Sequence, residues 1–228
     1  MSTTQTVSFL ERAKESYELK ELEKLGLSPD LDQRNLILSY MSLVLRHNQE
    51  AVLIPAADEN NIFLRHFCDS IQPLLLFGFK KGATVFDIGA GGGFPSIPIR
   101  IFRPDLNFVL FESNRKKASF LKEVRTKLDF DNVEIISVKA EKASEAIDKK
   151  ADYVVGRGVG TLQKFSVIAK PLLAPDGHMY TFKTKPFTDE LNLITVNKDF
   201  DGIKINEIAQ YDLGGLIHGL NLVSLEFV

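Results

Sequence analysis

The chain has 228 residues, of which 44% are hydrophobic, and its formal net charge is −2 at neutral pH. This length suits one large domain or a domain with a small cap, and the composition is that of an ordinary globular protein. A dedicated duplex-binding protein would usually be basic, so any nucleic-acid partner must be bound through a local patch.

The single cysteine, Cys68, excludes a disulfide within the chain, which fits a reducing compartment. No apolar run approaches the roughly 20 residues that span a membrane, and the first residues lack the basic and apolar regions of a signal peptide. We therefore expect a cytoplasmic protein with no membrane partner. Because no hydrophobic pattern demands a second copy, we also expect a monomer.

The N-terminal third of the chain is predicted to be helical. Leucines at helical spacing precede Gly26, which can cap a helix end, and Ser28-Pro29-Asp30 is a good start for a second helix with an apolar stripe. A third helical pattern covers Asn61–Leu76 after a polar loop. We predict a helical region over residues 1–80 that packs on a domain over residues 81–228.

Strands alternate with helices in the second region, which predicts an α/β fold with a mostly parallel sheet. The last two strands have only a turn at Gly214-Gly215 between them, so they should form a hairpin and one terminal strand should run antiparallel. The predicted strands lie at Val85–Ile88, Asn107–Phe111, Val133–Val138, Tyr153–Val155, Met179–Phe182, Lys204–Tyr211 and Leu222–Phe227.

A glycine-rich loop follows the first of these strands and precedes a helix. Val85-Phe86-Asp87-Ile88 suits a buried parallel strand, and Gly89-Ala90-Gly91-Gly92-Gly93 comes directly after it. Glycine has no Cβ and allows positive φ, so a ligand can lie against this backbone. A strand, a glycine loop and a helix start form the unit that holds nucleotide-like ligands in doubly wound sheets.

The spacing of the glycines narrows the choice of ligand. The run Asp87-x-Gly89-x-Gly91-x-Gly93 is similar to the first motif of class I S-adenosylmethionine-dependent methyltransferases. An acidic residue about 20 positions further on, at the end of the next strand, can hold ribose hydroxyls. Glu112 stands at the end of the strand Asn107–Phe111. Loop, strand and carboxylate together predict a site for an adenosyl ligand.

A longer block carries a closer family resemblance. The stretch DIGAGGGFPSIPIRIFRPDLNFVLFES, residues 87–113, resembles the RsmG family, also called glucose-inhibited division protein B. The resemblance covers roughly residues 36–185, and the chain departs from it at Val52-Leu53-Ile54, Thr184 and His218-Gly219-Leu220. Further similar segments are Arg65-His66-Phe67-Cys68-Asp69-Ser70-Ile71, Lys139-Ala140-Glu141, Gly156-Arg157-Gly158-Val159 and Phe182-Lys183.

The resemblance implies an activity and a partner. Members of this family transfer a methyl group from S-adenosylmethionine to N7 of a guanine in small-subunit (16S) ribosomal RNA, on a class I methyltransferase (Rossmann-like) sheet. The implied partner is therefore small-subunit ribosomal RNA, a 30S subunit or an assembly intermediate. The resemblance also implies the cofactor-binding residues, which are Gly89, Gly91, Phe94, Glu112, Ala140, Glu141 and Arg157.

Two basic residues are the predicted catalytic groups. Arg157 ends the fourth strand, at the edge where ligands bind, and can grip the methionine carboxylate, a phosphate or the guanine edge. The alternative for Arg157 is a surface salt bridge. Lys183 follows the fifth strand and is expected to contact the RNA backbone, whereas Lys185 is either a second contact or a solvated lysine.

Methylation at N7 sets few chemical demands. This nitrogen has a free lone pair, so no general base is required and catalysis can rest on proximity and orientation. No metal site is expected, because His66 and Asp69 share a helix face without a third ligand nearby. Two alternatives share the cofactor half: a methyltransferase acting on another RNA or a small molecule, and a non-catalytic adenosyl-binding module.

Overall fold

A computed structural model of the chain describes residues 17–184, 187, 189–191 and 202–227. The α-helices in this part of the chain are α1 (residues 17–24), α2 (Leu31–Ala51), α3 (Gln72–Leu76), α4 (Ser96–Phe102), α5 (Arg115–Lys127), α6 (Ala143–Ala146) and α7 (Leu162–Ala169). The strands are β1 (Thr84–Ile88), β2 (Asn107–Phe111), β3 (Val133–Ile136), β4 (Ala151–Gly156), β5 (Leu173–Thr184), β6 (Ile203–Leu213) and β7 (Ile217–Phe227). None of these helices has the length and apolar composition that a membrane-spanning helix needs.

The strands form one mixed sheet in the order β3-β2-β1-β4-β5-β7-β6. Strands β1 to β5 pair in parallel, whereas β7 runs antiparallel to both β5 and β6. The predicted α/β sheet, mostly parallel with one antiparallel terminal strand, is therefore confirmed. The chain order reverses between β1 and β4, so a ligand crevice is expected beyond the carboxyl ends of these two strands.

The helical pattern at Asn61–Leu76 is divided more finely than the sequence indicates. A 3₁₀-helix at Ala56–Asn61 leads into a π-helix at Phe63–Cys68, and α3 follows with Pro73 in its first turn. Proline fits a first turn because its missing N–H has no partner there in any case. The π-helix brings the Arg65-His66 and Asp69 part of the family segment to the crevice, as described below.

Two hydrophobic clusters cover the two faces of the sheet. Val85 lies in the cluster that the N-terminal helices share, whereas Phe86 and Ile88 lie in the cluster around Phe165 of α7. Alternate residues of β1 thus point to opposite faces, as strand geometry requires. Tyr40 of α2 belongs to the first cluster. This cluster contains residues from both sides of the predicted boundary at residue 80. The division into residues 1–80 and 81–228 stays a prediction.

Candidate active site

Asp87 is the penultimate residue of the buried strand β1, just before the glycine loop. Its side chain is fully buried, its Oδ2 accepts a hydrogen bond of 2.6 Å from Ser96 Oγ, and its Oδ1 has no hydrogen-bond partner among the described residues. Burial raises the pKa of Asp87 to about 7, against the opposing effect of the Ser96 hydrogen bonds. A buried acceptor without a donor is costly, and a polar group of a ligand at this end of β1 would fit it.

The glycine loop divides into a ligand-facing part and a packed part. A Cβ at Gly89 or Gly91 would have no neighbour nearer than 3.8 Å, and both residues have positive φ. A Cβ at Gly93 would lie 2.6 Å from the side chain of Ile97 in α4. The first two predicted glycines therefore leave open space along the backbone, while Gly93 allows helix α4 to pack closely.

The Glu112 carboxylate binds the glycine loop directly. Its Oε2 accepts a hydrogen bond of 2.8 Å from the Gly91 N–H, and its Oε1 accepts one of 2.7 Å from the Asn114 N–H. Asn114 in turn caps helix α5 with its side chain. Glu112 is 8% exposed. Each of its oxygens keeps a further lone pair that can accept a hydrogen bond at the rim of the loop, where ribose hydroxyls are expected. The structure thus brings Gly91 and Glu112 together.

Ala140 and Glu141 stand in a 3₁₀-helix, Ala140–Lys142, after strand β3. The Glu141 side chain is exposed and its Oε1 lies 3.4 Å from Lys164 Nζ. Ala140 and Glu141 therefore lie at the carboxyl end of β3. The ion pair with Lys164 joins Glu141 to α7 rather than to the glycine loop. Their predicted contact with an adenine ring stays a prediction.

Arg157 follows β4 and is held on three sides by the N-terminal helical region. Its Nε lies 2.8 Å from Asp69 Oδ2, its Nη1 lies 3.1 Å from His66 Nδ1, and its Nη2 donates a hydrogen bond of 2.6 Å to the Arg65 carbonyl. Its guanidinium carbon is 6.0 Å from the centre of the Phe94 ring. A guanidinium has five N–H groups, so two remain for a ligand. The predicted Phe94 and Arg157 are thus neighbours.

His66 is a neutral hydrogen-bond acceptor for Arg157. Because the guanidinium can only donate, His66 Nδ1 accepts, and the ring proton lies on Nε2, which is 3.0 Å from Asp58 Oδ2. Burial and the nearby Arg157 charge lower the pKa of His66 to about 4, although Asp58 opposes this shift. His66 and Asp69, which the sequence places on one helix face, both bind the Arg157 guanidinium.

Asp69 joins three separate parts of the chain. It follows the π-helix, is 5% exposed, pairs with Arg157 just after β4 and accepts a short hydrogen bond from the Tyr211 hydroxyl of β6. Burial raises the pKa of Asp69, while Arg157 and then Tyr211 counteract that rise. The carboxylate is therefore satisfied by two partners and fixes the guanidinium in the crevice.

A cavity of about 510 Å³ opens beside Arg157. The predicted Lys183 lies in its wall, where its Nζ donates a hydrogen bond of 2.6 Å to the Gly160 carbonyl and pairs with Glu190 Oε2 at 2.7 Å. Lys183 is 9% exposed, so its charge is held at the wall of the cavity. The predicted Lys185 lies outside the described residues, as do residues 7–16 of the predicted first helix.

Several contributors to the site are not visible in the sequence pattern. Tyr40, placed only in an apolar helical stripe, donates a hydrogen bond of 2.7 Å to the Gly92 carbonyl. Tyr211 and Glu190 come from parts of the chain with no site motif. For Asp87, the sequence offered one indication of a role in the site, which was its position in the glycine motif. Nothing in the sequence pattern indicated that Ser96 would be its hydrogen-bond partner.

These residues fit an adenosyl cofactor and give no sign of metal or thiol chemistry. The open backbone at Gly89 and Gly91, the Glu112 carboxylate and the unpartnered Asp87 oxygen are the donor and acceptor set that such a ligand requires. No group of three or more His, Cys, Asp or Glu side chains in the described ranges could hold a metal ion. Burial raises the pKa of the Cys68 thiol, with smaller effects of Glu21, Glu18 and Asp69, so Cys68 is a poor nucleophile.

Comparison with known proteins identifies the family. The family model described as GidB, rRNA small subunit methyltransferase G, matches residues 33–213. The Ribosomal RNA small subunit methyltransferase G of Lactobacillus helveticus is 36% identical over 176 residues, which cover 75% of this chain and 73% of the relative. The protein of the same name from Lactobacillus johnsonii is 34% identical over 198 residues, covering 85% of this chain and 83% of the relative.

A solved structure agrees at the level of the fold. The crystal structure of a SAM-dependent methyltransferase from Aquifex aeolicus matches with a TM-score of 0.52 and 19% identity, over 70% of this chain and 90% of that chain. The family match confirms the enzyme class and the S-adenosylmethionine cofactor that the sequence predicted. The chain belongs to the rRNA small subunit methyltransferase G family.

Proposed function

We propose that this protein transfers the methyl group of S-adenosylmethionine to N7 of a guanine in small-subunit (16S) ribosomal RNA. The observation that carries the proposal is the junction at Phe94. Phe94 directly follows the glycine loop that Glu112 binds, and its ring lies 6.0 Å from the guanidinium carbon of Arg157, which lines the cavity. A cofactor along the loop and a base in the cavity would meet at this ring.

The methionine end and the ribose of the cofactor have separate partners in the proposal. Gly89 and Gly91 offer their backbone to the methionine part, with Phe94 packed beside it. Glu112 accepts hydrogen bonds from the ribose hydroxyls, and Ala140 and Glu141 lie along the adenine. When bound, the cofactor supplies a methyl group activated by a positive sulfur.

The remaining residues position the base. Guanine N7 carries its own lone pair, so the chain has to orient the purine and exclude water rather than remove a proton. The two unused N–H groups of Arg157 are donors for guanine O6, which adjoins N7, or for a phosphate. The third N–H of Lys183 can likewise bind the RNA backbone, since only two acceptors hold it in the cavity wall.

The proposed RNA substrate also determines the partner and the cellular location that we propose. Small-subunit ribosomal RNA, free or in a 30S assembly intermediate, is the proposed partner, and the cytoplasm is the proposed location because ribosomal subunits are assembled there. We propose that the protein acts as a monomer, with residues 1–80 packed on a methyltransferase domain over residues 81–228. The family match supports the RNA substrate over a small molecule.

Nucleoside mapping in cells tests this function. Small-subunit RNA is isolated from cells with and without the gene, digested to nucleosides and analysed by mass spectrometry. We expect the 7-methylguanosine content of this RNA to fall when the gene is deleted and to return with a wild-type copy. An unchanged 7-methylguanosine content would overturn the proposed function.

A further inference from the structure

Helix α5 carries a cluster of positively charged side chains, most of which have no ion-pair partner among the described residues. Along its 13 residues it has six cations and one acid, Glu123, in a protein whose net charge is −2. We call the six side chains the α5 cation face; they are Arg115, Lys116, Lys117, Lys122, Arg125 and Lys127. The opposite face packs in the core through Ala118, Phe120, Leu121 and Val124.

Few of these cations have an anionic partner. Lys127 pairs with Glu123 at 2.7 Å, and the Lys116 ammonium donates to the Glu50 carbonyl at 3.2 Å. In the part of the chain that the structure describes, Arg115, Lys117, Lys122 and Arg125 take part in no ion pair; Glu123, the acid of this helix, is also shared with Arg46 and His47 of α2. The unpaired charges are therefore available to a ligand.

The placement of three cations opposes helix stability. Arg115, Lys116 and Lys117 occupy the first turn, which contains no acidic residue. The helix dipole makes this end positive, so each cation there is unfavourable, most of all at low salt. A solvated face would gain stability from acids at these positions. The cations at these positions therefore do not stabilise the helix, and their charge is left for an anionic ligand.

The first turn of α5 also lies next to the cofactor site. Asn114, which caps α5, donates its backbone N–H to Glu112, the carboxylate of the glycine loop. An RNA strand that places one guanine in the crevice would continue past this end of the sheet. A 13-residue helix is about 20 Å long, enough to follow several phosphates of that strand.

We propose that the α5 cation face binds phosphates of the RNA strand that flanks the target guanine. The proposal rests on the RNA substrate proposed above and extends it to a docking surface. Its warrant is charge complementarity: four cations of α5, one of them half-buried and none in an ion pair among the described residues, meet a polyanion through contacts that release counterions. The contacts would supply affinity and orientation without reading the sequence of the bases.

A neutralised variant and a matched control test the surface. The first protein carries Arg115→Gln, Lys117→Gln, Lys122→Gln and Arg125→Gln. The control carries Lys80→Gln, Lys81→Gln, Lys149→Gln and Lys150→Gln, an equal loss of charge at exposed residues before β1 and β4, at the opposite edge of the sheet. Binding of a small-subunit RNA transcript is measured between 50 and 200 mM salt, together with cofactor affinity and urea unfolding.

The salt dependence gives the expected result. For single strands the log–log slope is about −0.7 per phosphate contact, so loss of four contacts changes the ratio of wild-type to variant affinity roughly 50-fold between these salt concentrations. We expect this change in the α5 variant and none in the control. We also expect unchanged cofactor affinity, and no loss of stability, because the variant removes two first-turn cations.

Two outcomes would overturn the inference at different levels. If wild-type protein methylates small-subunit RNA and the α5 variant keeps its salt slope, the RNA does not use this face and the proposed function stands. If wild-type protein transfers no methyl group to small-subunit RNA, the proposed function is wrong. The proposed docking surface, which depends on that function, is then wrong as well.

Discussion

Arg157 Nε and Asp69 Oδ2 lie 2.8 Å apart, which joins the end of β4 to the end of the π-helix. The same guanidinium binds His66 and the Arg65 carbonyl. Two sequence segments that resemble the family separately are therefore one structural unit. In this unit the N-terminal helical region holds a basic side chain of the sheet in the crevice.

Replacement of Arg157 should affect both activity and stability. Arg157→Ala leaves Asp69 buried without its cation, and the loss of one partner of a buried pair costs about 3–5 kcal/mol. Arg157→Lys keeps a positive charge but loses the planar fork that spans three partners. We expect nearly complete loss of methyl transfer in the alanine variant, loss of most transfer in the lysine variant, and the larger drop in unfolding free energy for alanine.

Urea unfolding and single-turnover methyl transfer measure these effects. Wild-type turnover in Arg157→Ala would show that the arginine is purely structural. An unchanged unfolding free energy in the same variant would contradict the ion pair with Asp69.

The Tyr211 hydroxyl should matter through Asp69 rather than through direct contact with the base. Tyr211→Phe removes one donor from a buried carboxylate, and a hydrogen bond to a charged group contributes about 1.5–3 kcal/mol. Tyr180→Phe is the matched control, since the Tyr180 hydroxyl donates to the neutral Gly78 carbonyl at 3.2 Å. We expect kcat to fall in Tyr211→Phe with the cofactor Kd unchanged. Equal effects of the two variants on kcat would refute this positioning role.

Glu112 should contribute to cofactor affinity in two ways. Glu112→Ala removes the acceptor for ribose hydroxyls and releases the Gly91 N–H that shapes the loop. A charge-assisted hydrogen bond is worth about 1.5–3 kcal/mol, so cofactor affinity should fall about 10- to 150-fold. Glu112→Gln keeps one acceptor oxygen and should lose less. Calorimetry that shows wild-type affinity in Glu112→Ala would remove Glu112 from the site.

Asp87 should make the stability of the cofactor-free protein depend on pH. Its pKa is about 7 in the folded protein and 3.8 in the reference state. The folded form therefore keeps a proton that the unfolded chain has lost, and unfolding free energy should fall as pH rises from about 4 to about 7. The shift corresponds to a contribution of up to about 4 kcal/mol.

Paired variants isolate the Asp87 contribution. Asp87→Asn removes the titrating group, so its unfolding free energy should lack this decline between pH 4 and 7. Asp148→Asn, at an exposed position, should retain it. If wild type and Asp87→Asn show parallel curves over this range, Asp87 titrates normally and the argument for its raised pKa is wrong.

The sequence indicated the contact between the glycine loop and Glu112 more directly than the contacts of Arg157, for a physical reason. Strand β2 was predicted with the bounds that the structure shows, and Glu112 follows it. The glycine loop and this carboxylate come from adjacent parallel strands, so local patterns place them together. Arg157 and Asp69 are far apart in the chain, and their ion pair depends on tertiary packing that local spacing does not encode.

The helix boundaries show the same limit on a smaller scale. The start of α2 was expected at Ser28-Pro29-Asp30, and the structure uses Asp30 as the N-cap in a reciprocal bond with Gln33. The polar loop was expected over residues 48–60, yet α2 continues to Ala51 and a 3₁₀-helix covers Ala56–Asn61. Polar composition alone does not distinguish a loop from exposed helical turns.

Methyl transfer to small-subunit RNA can be measured directly in a purified system. Wild-type protein is incubated with methyl-labelled S-adenosylmethionine and either 30S subunits or protein-free small-subunit RNA, over a range of magnesium concentrations, with Arg157→Lys as the impaired control. We predict label in the RNA, recovered as 7-methylguanosine after digestion, with little label from the control. Label in another nucleoside, or none in the RNA under any of these conditions, would contradict it.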